Sequence, residues 1–150
     1  MEKVGAIEFY TIEDYLKRRT HNGLYKDGLT FWQIVHELSH WYHWYLTNYG
    51  YSAIDQAWNA VMNPKNKKFV DYTSVEHIAG DRKTAYATVN SQEYFASLSA
   101  AYFSPANDYY PFNLADLKSF DTEGYLMVKQ FWKLGRKGVN GMHDRAFDGE

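Results

Sequence analysis

The chain has 150 residues, 45% of them hydrophobic and 19% aromatic, with a formal net charge of −2 and no cysteine. This is enough chain for one domain with a real core, expected to span 1–150, and its near-neutral charge offers no broad attraction to nucleic acid or an anionic membrane, so neither is expected as a partner. Without cysteine there is no disulfide framework and no thiolate metal site, so any metal must take His, Asp or Glu.

The start, MEKVGAIEFYTIEDY, lacks a basic stretch followed by an apolar run, so no signal peptide is expected, and no segment is long and apolar enough to span a bilayer. Val4 to Tyr10 is rich in β-formers and predicts a strand with Ile7 and Phe9 on one face. Thr11 and Asp14 resemble a capping box opening a short helix with Ile12, Tyr15 and Leu16 as its apolar edge. His21 to Gly28 is turn-rich.

Thr30 to Tyr49, TFWQIVHELSHWYHWYLTNY, predicts a long helix. Thr30 can cap it, Phe31, Ile34, Val35, Leu38, Tyr42, Tyr45 and Leu46 recur at three- and four-residue spacing, and Gly50 is placed to end it. Ser52 is expected to cap a second helix, with Ile54, Ala57, Trp58 and Val61 inward and Asn63-Pro64 at its end. From Pro64 to Val89 the periodicity is weak and Lys65, Lys67 and Lys68 cluster, which predicts a solvated loop rather than a basic binding patch. Asn90 or Ser91 opens a third helix through Phe103, with Tyr94, Phe95, Leu98, Tyr102 and Phe103 periodic. A short helix is expected around Leu114 to Phe120. A last helix begins near Asp121 and Thr122, with Tyr125, Val128, Phe131 and Trp132 inward, before a peripheral tail from Arg136.

Within the first long helix, His36, Glu37 and His40 form HExxH. Helical residues i and i+4 share a face, so the two imidazoles converge on one point, and neutral imidazoles suit a zinc ion that keeps one position open for water. A carboxylate beside that water can take its proton, which makes Glu37 the candidate general base.

A third protein ligand is needed. The position six residues after His40, where a metzincin would carry its third His, is Leu46, so that class is excluded. His43 shares the ligand face but lies three residues beyond His40, a spacing that fits packing or rim polarity better than ligation. Asp55 and Glu93 remain as carboxylate candidates, with Glu93 better placed because it opens an amphipathic helix able to pack against the first. A first-turn Glu is also what a helix dipole alone would favour.

HELSH followed at a distance by Tyr86-Ala-Thr-Val-Asn-Ser-Gln-Glu93-Tyr-Phe-Ala resembles the catalytic domain of anthrax lethal factor and its relatives, gluzincin metallopeptidases that include Pro-Pro endopeptidases. Asn90, Glu93, Phe95 and Ala96 match the segment that supplies that family's third ligand. The resemblance implies zinc held by His36, His40 and Glu93, Glu37 as base, and Tyr86, seven residues ahead of Glu93, as the donor to the developing oxyanion. Ser39 stands where relatives usually have Gly, and only 35 residues precede His36, so a small N-terminal sheet built on Val4 to Tyr10 is implied.

These features together predict a mainly helical α+β, zincin-like domain acting as a zinc-dependent endopeptidase on peptide or protein substrates, as a monomer; the resemblance implies secretion. The competing expectation is a non-catalytic binding domain on the same scaffold, which loss of Glu37 would have favoured. The aromatic run Trp41 to Tyr45 and the loop Asn107 to Phe112 are read as packing in preference to apolar subsites.

Overall fold

The computed structural model describes residues 31–104 and 107–138. The strand expected at Val4 to Tyr10, the helix from Thr11, the turns of His21 to Gly28 and the Thr30 cap fall outside these residues. The described chain is mainly helical, with one small antiparallel sheet, and so belongs to the α+β class. Its elements are α1 (Phe31–Thr47), α2 (Ser52–Val61), α3 (Lys67–Thr73), β1 (Val75–Glu76), β2 (Arg82–Lys83), a 3₁₀ turn (Tyr86–Thr88), α4 (Ser91–Phe103), α5 (Leu114–Phe120) and α6 (Thr122–Gly138). Among the described residues no helix is long and apolar enough to cross a membrane.

α4 is the hub. Tyr94, Phe95, Ala96, Leu98, Ser99, Ala100 and Ala101 are all buried, so the helix is apolar or small on most of its circumference, the composition of an interior helix. It lies along α1 and also meets the 3₁₀ turn, α2, α5 and α6. Fully buried Ser39 on α1 and Ala96 and Ala100 on α4 are small side chains suited to a close helix pair. Ser39 satisfies its hydroxyl within its own helix by donating to the Val35 carbonyl at 2.6 Å.

An aromatic cluster joins the remaining helices. Phe131 of α6 packs its ring against Tyr42, Tyr51 and Phe95, while Trp132 stacks on Tyr42 with ring centres 4.3 Å apart. Beneath it, buried Asp121 accepts hydrogen bonds from the Tyr72 and Tyr94 hydroxyls at 2.9 and 2.6 Å and, through its other oxygen, from the Gly124 amide at 2.9 Å. One carboxylate thus caps α6 and ties it to α3 and α4. Gly124 is needed there, because a Cβ would fall 2.6 Å from the Tyr94 hydroxyl oxygen.

Several local expectations change. α1 ends at Thr47 because Asn48 and Tyr49 take positive φ values of 48° and 60°; the left-handed turn expected of Gly50 is made before it. Ser52 is the first residue of α2 and Tyr51 holds the cap position without a side-chain bond. α6 runs three residues past Gly135, into the segment expected to be a peripheral tail. The largest difference is the stretch expected as a solvated loop, which instead contains α3, β1, β2 and the 3₁₀ turn. These elements are too short to show a period, yet Tyr72, Val75, Ala85 and Ala87 are core residues. Asn66 caps α3 by accepting from the Lys68 amide. β1 and β2 pair Val75 with Lys83 and Glu76 with Arg82, and Gly80, at φ 87°, makes the turn between them. His77 then bridges to Tyr109, bringing the loop from Asn107 against the hairpin's other edge.

Candidate metal centre

Two helices bring three ligand atoms together. His36 and His40, one turn apart on α1, aim their Nε2 atoms at the same point from the core side of the helix, His36 buried and His40 half-buried. Their separation is 3.2 Å. From α4, Glu93 Oε2 lies 3.0 Å from His36 Nε2 and 3.2 Å from His40 Nε2.

The position of Glu93 is set locally. Asn90 is the N-cap of α4, and its side-chain oxygen accepts from the Glu93 amide at 2.8 Å, which fixes Glu93 in the first helical turn. The next two residues anchor that turn: Tyr94 through Asp121, and Phe95 through its ring contacts with His43 and Phe131. Burial pushes the Glu93 carboxyl up, but hydrogen bonds and charge from His36 and His40 outweigh it and hold the group at about 2. The helix N-terminus favours the same anion.

The triangle suits a tetrahedral cation. Ligand atoms about 2.0–2.1 Å from a common centre at tetrahedral angles lie about 3.3 Å apart, close to the 3.0–3.2 Å edges observed. Two imidazole nitrogens and one carboxylate oxygen are a donor set that zinc accepts, and three protein ligands leave a fourth corner open. Among the described residues, His36, His40 and Glu93 are the group of His, Asp and Glu side chains that could hold a metal.

Glu37 is exposed, on the solvent side of the same turn that carries His36. Tyr86, half exposed on the 3₁₀ turn that leads into α4, holds its ring 6.2 Å from that of His36. His36, His40 and Glu93 therefore gather where α1 meets the start of α4, with the Tyr86 ring near that of His36. Asp55, the competing ligand, is exposed on α2 and takes no part in the triangle; its charge acts on His43 instead.

His43 is excluded from the ligand set by its surroundings. It is 2% exposed, with its ring edge-on to Tyr49, Phe95 and Phe131 and neither ring nitrogen hydrogen-bonded among the described residues. The aromatic run read as packing divides: Tyr42 and His43 turn inward, whereas Trp41 and Tyr45 are exposed. Residue type alone could not have sorted that run, but its phase relative to Val35 and Ser39 does. The anchoring roles of Asp121 and Tyr94 carry no sequence signal beyond an Asp placed three residues ahead of a Gly at a helix start. Compared with known proteins, the chain matches no family model, no curated protein and no solved structure.

Proposed function

We propose that the chain is a zinc-dependent endopeptidase domain with a zincin-like fold, of the gluzincin type that its motifs resemble. The observation that carries this reading is the convergence of His36, His40 and Glu93 on one point, with the exposed Tyr86 ring 6.2 Å from that of His36 and exposed Glu37 next to His36 in sequence. Bound there, zinc supplies Lewis acidity, making water a competent nucleophile near neutral pH and polarising a peptide carbonyl. Glu37 accepts the proton of the attacking water and delivers it to the leaving amine as the C–N bond breaks. Tyr86 donates a hydrogen bond to the oxyanion that develops on the carbonyl carbon's oxygen. Glu93 stays ionised throughout, because the two imidazoles hold its proton affinity low.

The exposure of Glu37 and Tyr86 favours an enzyme over a binding scaffold, since both groups are open to a substrate. The test is a diverse peptide library incubated with zinc-loaded protein, a chelated control and Glu37→Gln. Cleavage is expected only in the first. No cleavage by zinc-loaded protein across a broad library rejects the endopeptidase reading, and cleavage that survives in Glu37→Gln identifies a contaminant.

A further inference from the structure

Tyr86 is mounted on a 3₁₀ turn of three residues, Tyr86 to Thr88, too short to hold its own direction in the fold. Within it, the Ala85 carbonyl accepts from the Thr88 amide at 3.0 Å and from the Thr88 hydroxyl at 2.8 Å, and the Tyr86 carbonyl accepts from the Val89 amide at 3.1 Å. These bonds set the shape of the turn. Its placement comes from neighbouring elements: the Ala85 amide donates to the Tyr72 carbonyl of α3 at 2.9 Å, and beyond the turn Asn90 caps α4.

Between those two ties stands a third, from a side chain. The Trp58 indole N–H on α2 donates to the Ala87 carbonyl at 3.2 Å. Trp58 lies one turn beyond fully buried Ile54, and its ring is partly buried against the core, so the donor sits on a packed support. Ala85 and Ala87 are 3% and 2% exposed, whereas Tyr86 between them is 49% exposed. The turn is thus anchored inward on both sides of the phenol it presents outward. We infer that Trp58 is a positioning residue for Tyr86: by holding the Ala87 carbonyl, its indole N–H fixes the turn so that the Tyr86 hydroxyl meets the developing oxyanion.

The inference rests on the peptidase reading above, which gives Tyr86 its role at the oxyanion. A buried indole N–H generally finds some acceptor. Here the acceptor is the backbone residue directly after Tyr86, 29 positions from Trp58 in sequence, so the bond ties α2 to the element that aims the phenol. An oxyanion donor acts only within about 2.7–3.1 Å of the oxygen it stabilises, and a displacement of about 1 Å can cost on the order of 10²-fold in rate. Losing one of several ties displaces the donor without removing it, so the effect falls below that of deleting the Tyr86 hydroxyl.

The test is a double-mutant cycle on the full, zinc-loaded chain. Trp58→Phe keeps an aromatic ring and removes the N–H; it is expected to lower kcat about tenfold, with KM changed less than about twofold and zinc content unchanged. Added to Tyr86→Phe, the same substitution is expected to cost less than about twofold more, because the hydroxyl it positions is already gone. An unchanged kcat in Trp58→Phe overturns the inference, as does a tenfold loss that persists in the Tyr86→Phe background or a loss that follows zinc content. If zinc-loaded wild type cleaves no peptide, the peptidase reading fails by itself, and amide hydrogen exchange decides whether Trp58 holds the turn. Exchange at Thr88 and Val89 about fivefold faster in Trp58→Phe, with Val128 on α6 unchanged, supports the anchor. Equal exchange at Thr88 and Val89, or acceleration that extends to Val128, rejects it. If Trp58→Phe does not fold, 3-benzothienylalanine at position 58, which keeps the bicyclic ring and lacks the N–H, takes its place in each arm.

Discussion

His36 Nε2 and Glu93 Oε2 lie 3.0 Å apart although 57 positions separate them in sequence. α2, α3, the β1–β2 hairpin and the 3₁₀ turn lie between them, and the Asn90 cap fixes Glu93 in the first turn of α4. His36→Ala and Glu93→Ala are each expected to lose zinc to a mild chelator, whereas Asp55→Ala keeps it. Metal content by mass spectrometry after dialysis distinguishes them, and retention of zinc by Glu93→Ala with loss in Asp55→Ala would reverse the assignment.

Zinc binding should also appear as stability. A ligand that binds only the folded state at one hundred times its dissociation constant adds about 2.7 kcal/mol. Wild-type protein is therefore expected to melt at a higher temperature with zinc than with chelator, and His40→Ala to show no such difference. Thermal unfolding followed by circular dichroism measures both.

Glu37 and Tyr86 do not belong to the triangle, which separates their effects from metal binding. Glu37→Gln is expected to keep zinc and lose nearly all peptide cleavage. Tyr86→Phe, lacking one donor to the oxyanion, is expected to lose on the order of 10²-fold in kcat with a smaller change in KM. Steady-state kinetics on a cleaved peptide, paired with metal analysis of each variant, checks both outcomes.

The Asp121 carboxylate anchors the helix that carries Glu93. Burial, first, and then the Asp121 charge raise the Tyr94 hydroxyl well above its ordinary range, so it remains a donor. Asp121→Ala would leave two buried hydroxyls unpaired and α6 uncapped, at roughly 3 kcal/mol or more in total. Asp121→Asn keeps one acceptor oxygen and is expected to cost less. Urea unfolding at neutral pH gives the order, and a near-neutral Asp121→Ala would remove the anchor from this account.

What could be read from the sequence follows from element length. α1, α4 and α6 are long enough for their apolar period to show, and α4 was expected over the very residues it occupies, Ser91 to Phe103. HExxH brought His36 and His40 to one point because helical spacing alone sets i and i+4 together. The choice between Asp55 and Glu93 depended on which helix packs on α1, a tertiary fact that residue spacing leaves open. α3 and the β1–β2 hairpin were missed for a different reason: with seven residues and two-residue strands, their evidence lies in single caps such as Asn66 and buried residues such as Tyr72 and Val75. The split of the Trp41 to Tyr45 run required knowing which face of α1 meets α4.

His43 is a buried imidazole with no hydrogen-bond partner among the described residues. Burial lowers it to about 4; the charge of Asp55 opposes that shift and His40 adds to it. Its unfolded value is 6.5, so below that pH the unfolded chain takes up a proton that the folded chain refuses. The contribution of neutral His43 is thus complete above pH 6.5 and is lost as pH falls from 6.5 toward 4, with a limiting slope of about 1.4 kcal/mol per pH unit for one proton. Glu93 acts in a lower window, between its ordinary 4.5 and about 2, so the two are separable by pH. His43→Phe removes the titrating group and places an apolar ring among Tyr49, Phe95 and Phe131. It is expected to flatten the fall in stability between pH 6.5 and 4 and to change stability at pH 7.5 by about 1 kcal/mol or less, because no hydrogen bond is lost. Urea unfolding of wild type and His43→Phe at several pH values across that window is the measurement. Parallel curves would mean that His43 is protonated in the folded protein, in contact with a partner that stabilises its charge.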